Sequence, residues 1–163
     1  ISACLVGSEM CIRDSPDTDG VGEIHLTGPM IMTGYINKEP IDGDFNTDDI
    51  GYIDEDGFVY ILNRRKDLII SGGENIYPKE LENLVYTLPS VKECAVVPVP
   101  DAKWGQVPAL FVAFHDGKSL PPEDILAFMT NSLAKYKVPK YVKALTALPR
   151  NGTGKILRNE LKL

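Results

Sequence analysis

The sequence predicts an α+β fold: a small mixed-sheet domain with flanking helices, preceded by a short β-rich region. Three observations point there. Within residues 16–62, Glu23 to Thr27 alternates at period two and two strand-like runs flank the turn Glu55-Asp56-Gly57. Two segments opened by proline, at Pro78 and Pro122, carry helical apolar spacing. Between and after these helices lie short runs rich in Val, Ala and Phe that read as central strands.

The elements follow in order. Residues 1–15 are set aside as an artefactual or disordered leader, because Glu9 to Ser15 resembles the translation of a sequencing-library adapter and no basic n-region marks a signal peptide. Pro16-Asp17-Thr18-Asp19-Gly20 is turn chemistry, and Glu23 to Thr27 alternates as a half-buried strand. Residues 50–54 and 58–62 flank Glu55-Asp56-Gly57 as a hairpin. Residues 16–65 thus form a β-rich piece, and the polar run 63–67 marks the boundary with a second domain, 66–163.

In that second domain, Asp67 to Ser71 leads into a tight turn at Gly72-Gly73. Pro78 starts a helix with Leu81, Leu84, Val85 and Leu88 on one face and Glu80 and Glu82 near its positive end. Strands are expected at 94–97, 109–114 and 141–145. A second helix opens at Pro122 and buries Ile125, Leu126, Met129 and Leu133. A loop from Pro149 to Lys155 and a short terminal helix close the chain.

Composition narrows the function. The 163 residues are 44% hydrophobic and 25% charged, ordinary for a globular chain, and no apolar run reaches the ~20 residues of a membrane-spanning helix. The net charge of −6 argues against wholesale nucleic-acid binding. It is uneven: residues 131–163 hold eight basic residues and one acid, while residues 1–130 carry −13. A basic tail on an acidic body suits a small polyphosphate or a solvated helix face. Cys4, Cys11 and Cys94 form no CxxC pair, and this odd count suggests reduced thiols in the cytoplasm. His25 and His115 stand alone in sequence, so no metal site is expected.

Asn151-Gly152-Thr153-Gly154-Lys155 puts a lysine on a flexible glycine loop. It is not a phosphate-binding P-loop, which would need Gly at Pro149 and Ser or Thr at Ile156. Such a lysine can meet a phosphate as a point charge, or it can be an ordinary surface turn.

Order resolves this. Gly22-Glu23-Ile24, Thr47-Asp48-Asp49-Ile50-Gly51, Arg64-Arg65-Lys66-Asp67-Leu68-Ile69, residues 73–82 and Pro149 to Lys155 occur in succession. Together they resemble the carboxyl-terminal part of the acyl-adenylate-forming family, which includes acyl-CoA synthetases, adenylation domains and luciferases. The phrases 67–78, 104–108 and 133–140 place the likeness among its acid–CoA ligases.

The resemblance implies an enzyme that joins a carboxylic acid to CoA through an acyl-adenylate, using ATP with magnesium. In that family Lys155 matches the lysine between the carboxylate and the α-phosphate. Asp49 matches the acid that binds the ribose hydroxyls, Arg64 lies beside the same sugar, and Lys66 falls at the hinge. Trp104 and Lys140 match positions that meet the CoA adenine and phosphates, Tyr136 lies close to them in sequence, and the hairpin around Gly73 is presented to the thioester step, where the pantetheine arm passes. Asp48 departs from a usual Gly, and Asn63 from Gly or Asp. The phosphate loop and acyl pocket are expected in a preceding domain of the same protein, so this chain alone is expected to be inactive. A fatty or aryl acid as substrate, a carrier-protein thiol as acceptor, and a non-catalytic binding module remain alternatives.

Overall fold

The computed structural model describes residues 9–14, 20–29 and 31–163, the first stretch by its backbone. The chain divides into two compact units, Ile1–Lys66 and Asp67–Leu163. The predicted α+β class holds.

The first unit is an antiparallel sheet of four strands in sequence order: β1 (Glu9–Asp14), β2 (Gly22–Thr27), β3 (Phe45–Ile53) and β4 (Val59–Arg64). The β3–β4 hairpin turns where the Glu55-Asp56-Gly57 run placed it. Gly57 turns it at φ 82°, and Asp54 Oδ1 accepts the Phe58 N–H at 2.8 Å. Tyr52 and Tyr60 are cross-strand partners with rings stacked 4.9 Å apart. Gly51 is required by crowding, since a Cβ there would lie 2.3 Å from the Tyr60 carbonyl oxygen. Among the described residues of this unit, only Ile24 and Ile50 are buried apolar side chains.

One expectation is corrected. Residues 9–14, set aside with the leader, form β1 and pair along β2 from Glu9↔Thr27 to Asp14↔Gly22. Main-chain groups of an edge strand can be satisfied whatever the side-chain pattern, so a likeness to an adapter translation is no guide to disorder. Residues 1–8 and 15, and the turn expected at 16–19, lie outside the described residues.

The second unit is built on a long hairpin, β7 (Val91–Asp101) with β8 (Gly105–Phe114). A short hairpin, β5 (Ile69–Ser71) with β6 (Glu74–Ile76), joins β8 through Ser71↔Gly105. Further along β8, β9 (Tyr141–Leu145) pairs in parallel, so the five-stranded sheet is mixed. Gly72 and Gly73 sit at φ 60° and 92°, the double left-handed geometry of a tight hairpin turn. Helices α1 (Pro78–Tyr86) and α2 (Pro122–Ser132) each begin with the expected proline.

Both faces of β7–β8 are covered, which explains the continuous apolar run in β8. Cys94, Val96, Leu110 and Val112 pack with Leu81, Val85, Ile125 and Met129 of the helices. The alternate residues Ala95, Val97, Ala109 and Phe111 pack with Leu148 and Leu161 of the last segment. Burying each such Val, Leu or Phe contributes about 1.5–3 kcal/mol. The helix expected at the end is a single 3-10 turn, Arg158–Glu160. Leu88 lies beyond the end of α1, yet still packs against the first cluster.

The largest departure from the sequence reading is Glu82. Placed from sequence near the positive end of α1, it lies past the first turn and is buried, its side chain 3% exposed. Glu82 Oε1 accepts the Val96 N–H at 2.9 Å and Arg158 Nη1 at 2.6 Å, while Oε2 accepts Nη2 at 3.0 Å. Arg158 also donates to the Val96 carbonyl at 2.7 Å. Burial works against the arginine charge, but Glu82 outweighs it and holds the guanidinium pKa above its ordinary value. Replacing Arg158 by Met should therefore cost about 3 kcal/mol, because it strands a buried carboxylate. Urea unfolding of the full chain measures this, and Arg158→Lys should recover part of the loss.

Candidate functional site

In the first unit, Asp49 and Arg64 face each other across β3 and β4. Arg64 Nε lies 2.9 Å from Asp49 Oδ1, and Arg64 Nη1 donates to the Thr47 carbonyl at 3.0 Å. Thr47 Oγ1 accepts the Asp49 N–H at 3.1 Å and donates to the Ile24 carbonyl at 2.9 Å. The two residues named from sequence are thus a fixed acid–base pair at a strand end. Neighbouring Asp48 sits at φ 60°, left-handed backbone that suits glycine, and its N–H is held by Asn46 Oδ1 at 2.8 Å. Aspartate tolerates that conformation better than most residues do. At the same strand pair, Asn63 Nδ2 is buried with no hydrogen-bond partner. His25, solitary in sequence, pairs with Asp44.

In the second unit, a cavity of about 690 Å³ gathers three of the named residues: Trp104, Tyr136 and Lys140. They come from the β7–β8 turn, a 3-10 turn after α2, and the entry to β9. Gly72, Glu74 and Lys135 also line it. Trp104 is half exposed and rests on Gly72, where a Cβ would lie 2.6 Å from Trp104 Cε3. The Gly72 N–H donates to the Trp104 carbonyl at 2.9 Å. Lys103 Nζ stands 4.5 Å over the indole. Lys137 lies between the two carboxylate oxygens of Glu80, 2.8 Å from each, and ties the Tyr136 turn to α1. Gly73 itself does not line the cavity and has open space where a Cβ would stand. Gly72 is the glycine that a close approach requires.

Lys140 is not a free cation. Its Nζ lies 2.6 Å from Asp101 Oδ2. The hydrogen bond from Lys140, together with the Lys103 and Trp104 N–H groups, lowers the Asp101 pKa to about 2. The same bond to Asp101 raises that of Lys140.

Lys155 sits on an exposed, tightly organised loop. Asn151 Oδ1 accepts from the Thr153 N–H at 3.1 Å, the Thr153 hydroxyl at 2.8 Å and the Lys155 N–H at 2.9 Å. Arg150 Nη1 donates to the Gly154 carbonyl at 2.6 Å, and its other terminal nitrogen pairs with Glu93. Glu93 also accepts the Leu148 N–H at 2.9 Å. The lysine ammonium has no partner among the described residues. Lys66 is exposed in the 3-10 turn Arg65–Asp67 and closes the first unit.

Residues 80–155 match the family model of the AMP-binding enzyme C-terminal domain. The second unit is such a domain. Over 158 residues the chain is 56% identical to a 2-succinylbenzoate–CoA ligase of Lactococcus lactis subsp. lactis (strain IL1403), covering 97% of this chain and 34% of that protein. A 2-succinylbenzoate–CoA ligase of Bacillus cereus (strain ATCC 14579) is 49% identical over 147 residues, 86% of this chain and 30% of the relative. The o-succinylbenzoate CoA synthetase of Bacillus subtilis, solved with the acyl-adenylate intermediate OSB-AMP, superposes with a TM-score of 0.87 at 40% identity. It covers 96% of this chain, which covers 34% of it. ATP-bound MatB of Rhodopseudomonas palustris superposes with a TM-score of 0.85 at 36% identity, over 94% of this chain and 33% of that one. The chain spans about a third of the length of the relatives it matches.

Sequence reasoning missed three residues that organise this AMP-binding C-terminal domain: Gly72, Glu93 and Asp101. Gly72 is adjacent to the glycine that was named, and only the seat of the indole tells them apart. Asp101 and Glu93 carry no motif of their own, and their partners lie 39 and 57 residues away. The Glu93 carboxyl titrates below the ordinary glutamate range. Burial opposes this, but the Leu148 N–H and Arg150 prevail. A depressed pKa contributes stability above the unfolded value, and that contribution disappears as pH falls through the folded one. Stability of the full chain should therefore drop as pH falls below about 4.3, the ordinary glutamate pKa. Glu93→Gln should start less stable at neutral pH and lose less on acidification, as followed by thermal unfolding. Gly72→Ala should lower stability by about 1–3 kcal/mol through strained backbone and shift the emission of the chain's single tryptophan.

Proposed function

We propose that this chain is the C-terminal part of a cytoplasmic, ATP-dependent acid–CoA ligase whose acid is 2-succinylbenzoate. The observation that carries this reading is the pairing of two features in one AMP-binding C-terminal domain. A lysine with no ammonium partner among the described residues tops an exposed loop held at its base. Elsewhere, a cavity presents a flat indole, a phenol and cations, a set suited to a phosphorylated adenosine. The likeness to named 2-succinylbenzoate–CoA ligases at 49–56% identity supports the substrate over a fatty or aryl acid.

In this mechanism a carboxylate oxygen attacks the α-phosphorus of ATP and pyrophosphate leaves. Lys155 stabilises the negative charge that gathers between the two reactants. One preorganised cation at such a point is worth about 2.7–4 kcal/mol of barrier. Asn151 and Arg150 limit the freedom of its loop, which lowers the entropy lost when the ammonium engages. Asp49 accepts hydrogen bonds from the ribose hydroxyls, and Arg64 fixes the orientation of that carboxylate. The CoA sulfur then attacks the acyl carbon and AMP departs. For that step Lys66 serves as the pivot that withdraws Lys155, while Trp104, Tyr136 and Lys140 hold the nucleotide end of CoA. ATP, its magnesium and the acid are held mainly by the preceding domain, so this chain alone should not form the adenylate.

The test joins this chain to the preceding region of a homologous 2-succinylbenzoate–CoA ligase. Lys155→Ala should slow pyrophosphate release by about 10²–10³-fold yet spare thioester formation from supplied acyl-adenylate. Undiminished adenylation in that variant rejects the role of Lys155. Faster turnover of a fatty or simple aryl acid than of 2-succinylbenzoate rejects the substrate.

A further inference from the structure

Asp101 stands at the corner where the cavity's tryptophan and lysine meet. One oxygen, Oδ1, accepts the Lys103 N–H at 2.9 Å and the Trp104 N–H at 3.0 Å. The other, Oδ2, lies 2.6 Å from Lys140 Nζ, which comes from 39 residues further along the chain. The carboxylate side chain is only 6% exposed, whereas the lysine is half exposed and lines the cavity. One group thus performs two separable tasks: it fixes the turn that presents the indole, and it neutralises a cation of the cavity. The ammonium of Lys135, also in the lining, has no partner among the described residues.

We infer that Asp101 is a positioning and affinity-setting residue, an internal anion that holds Lys140 in place of a ligand phosphate and must share or yield it when a phosphorylated adenosine enters the cavity. This rests on the reading of the cavity as the site for the nucleotide end of CoA and adds to it a limit on affinity. Like charges at one cation compete, so the carboxylate weakens phosphate binding while its hydrogen bonds strengthen aromatic stacking. Moderate affinity serves a domain whose product must leave.

The two tasks separate in two variants of the full 163-residue chain, titrated with coenzyme A and with adenosine through the fluorescence of its single tryptophan. Asp101→Asn keeps an oxygen for the Lys103 and Trp104 N–H groups but removes the charge. Coenzyme A should bind it roughly threefold or more tightly at low salt, with the advantage shrinking as ionic strength passes about 0.15 M. Adenosine affinity should stay unchanged. Asp101→Ala loses the turn as well and should weaken adenosine. A merely structural role would move both ligands together in both variants, and that result overturns the inference. So does unchanged or weaker coenzyme A binding by Asp101→Asn. Trp104→Ala, followed by calorimetry, identifies which reading has failed. If it loses coenzyme A while Asp101→Asn shows no gain, only the role of Asp101 is wrong. If neither the parent chain nor Asp101→Asn binds coenzyme A, the cavity reading fails and the inference falls with it.

Discussion

A strand pair that is apolar on both sides is stable only when each side is covered, and β7–β8 places that demand on the rest of the second unit. The helices cover one face through Leu81, Val85, Ile125 and Met129. The last segment covers the other through Leu148 and Leu161. A terminal stretch with only a single 3-10 turn has little intrinsic order. Here it is held by charge: Arg158 on Glu82, and Arg150 on Glu93. Both acids are embedded in the sheet and helix layer, so each pairing is made in a low-dielectric setting where an unmatched partner would be costly.

The candidate functional groups are consequences of that packing. The loop bearing Lys155 begins where Leu148 enters the core and ends where Ile156 returns, with Arg150 and Ile156 bridged at its neck. Its tip is consequently exposed while its base is fixed. The Trp104 turn is the far end of the same long hairpin, and the entry to β9 brings Lys140 beside it. The Lys155 loop, through Leu148 and Ile156, and the aromatic cavity, through the Trp104 turn, are thus both anchored on β7–β8.

Charge changes meaning once partners are visible. The basic tail suggested a polyanion partner, yet Lys137, Lys140, Arg150 and Arg158 each pair with an acid of the body. Lys143 donates to the Lys162 carbonyl at 2.8 Å. Much of the excess is internal neutralisation between distant parts of one chain. Among the described residues, what remains for ligands is narrow: Lys135 at the cavity, Lys155 on its loop and the exposed Lys162 beside the last residue. The buried thiol of Cys94 illustrates the same principle, because desolvation foremost pushes its pKa up to about 12, leaving a small core side chain without thiolate character.

Local sequence determined the local objects. Prolines at Pro78 and Pro122 set helix starts, paired glycines set the β5–β6 turn, Glu55-Asp56-Gly57 between two strand-like runs set the β3–β4 hairpin, and the ordered motifs pointed to Asp49, Arg64, Trp104, Tyr136, Lys140 and Lys155. These depend on a few neighbouring residues or on a recognisable string. Tertiary structure alone decided that residues 9–14 pair as a strand, that Glu82 is buried, that Gly72 and not Gly73 seats the indole, and that Asp101 holds Lys140. Each of these depends on atoms brought together from far along the chain, or on main-chain pairing that is indifferent to side-chain type. Sequence spacing carries no distance for such meetings; the fold supplies it.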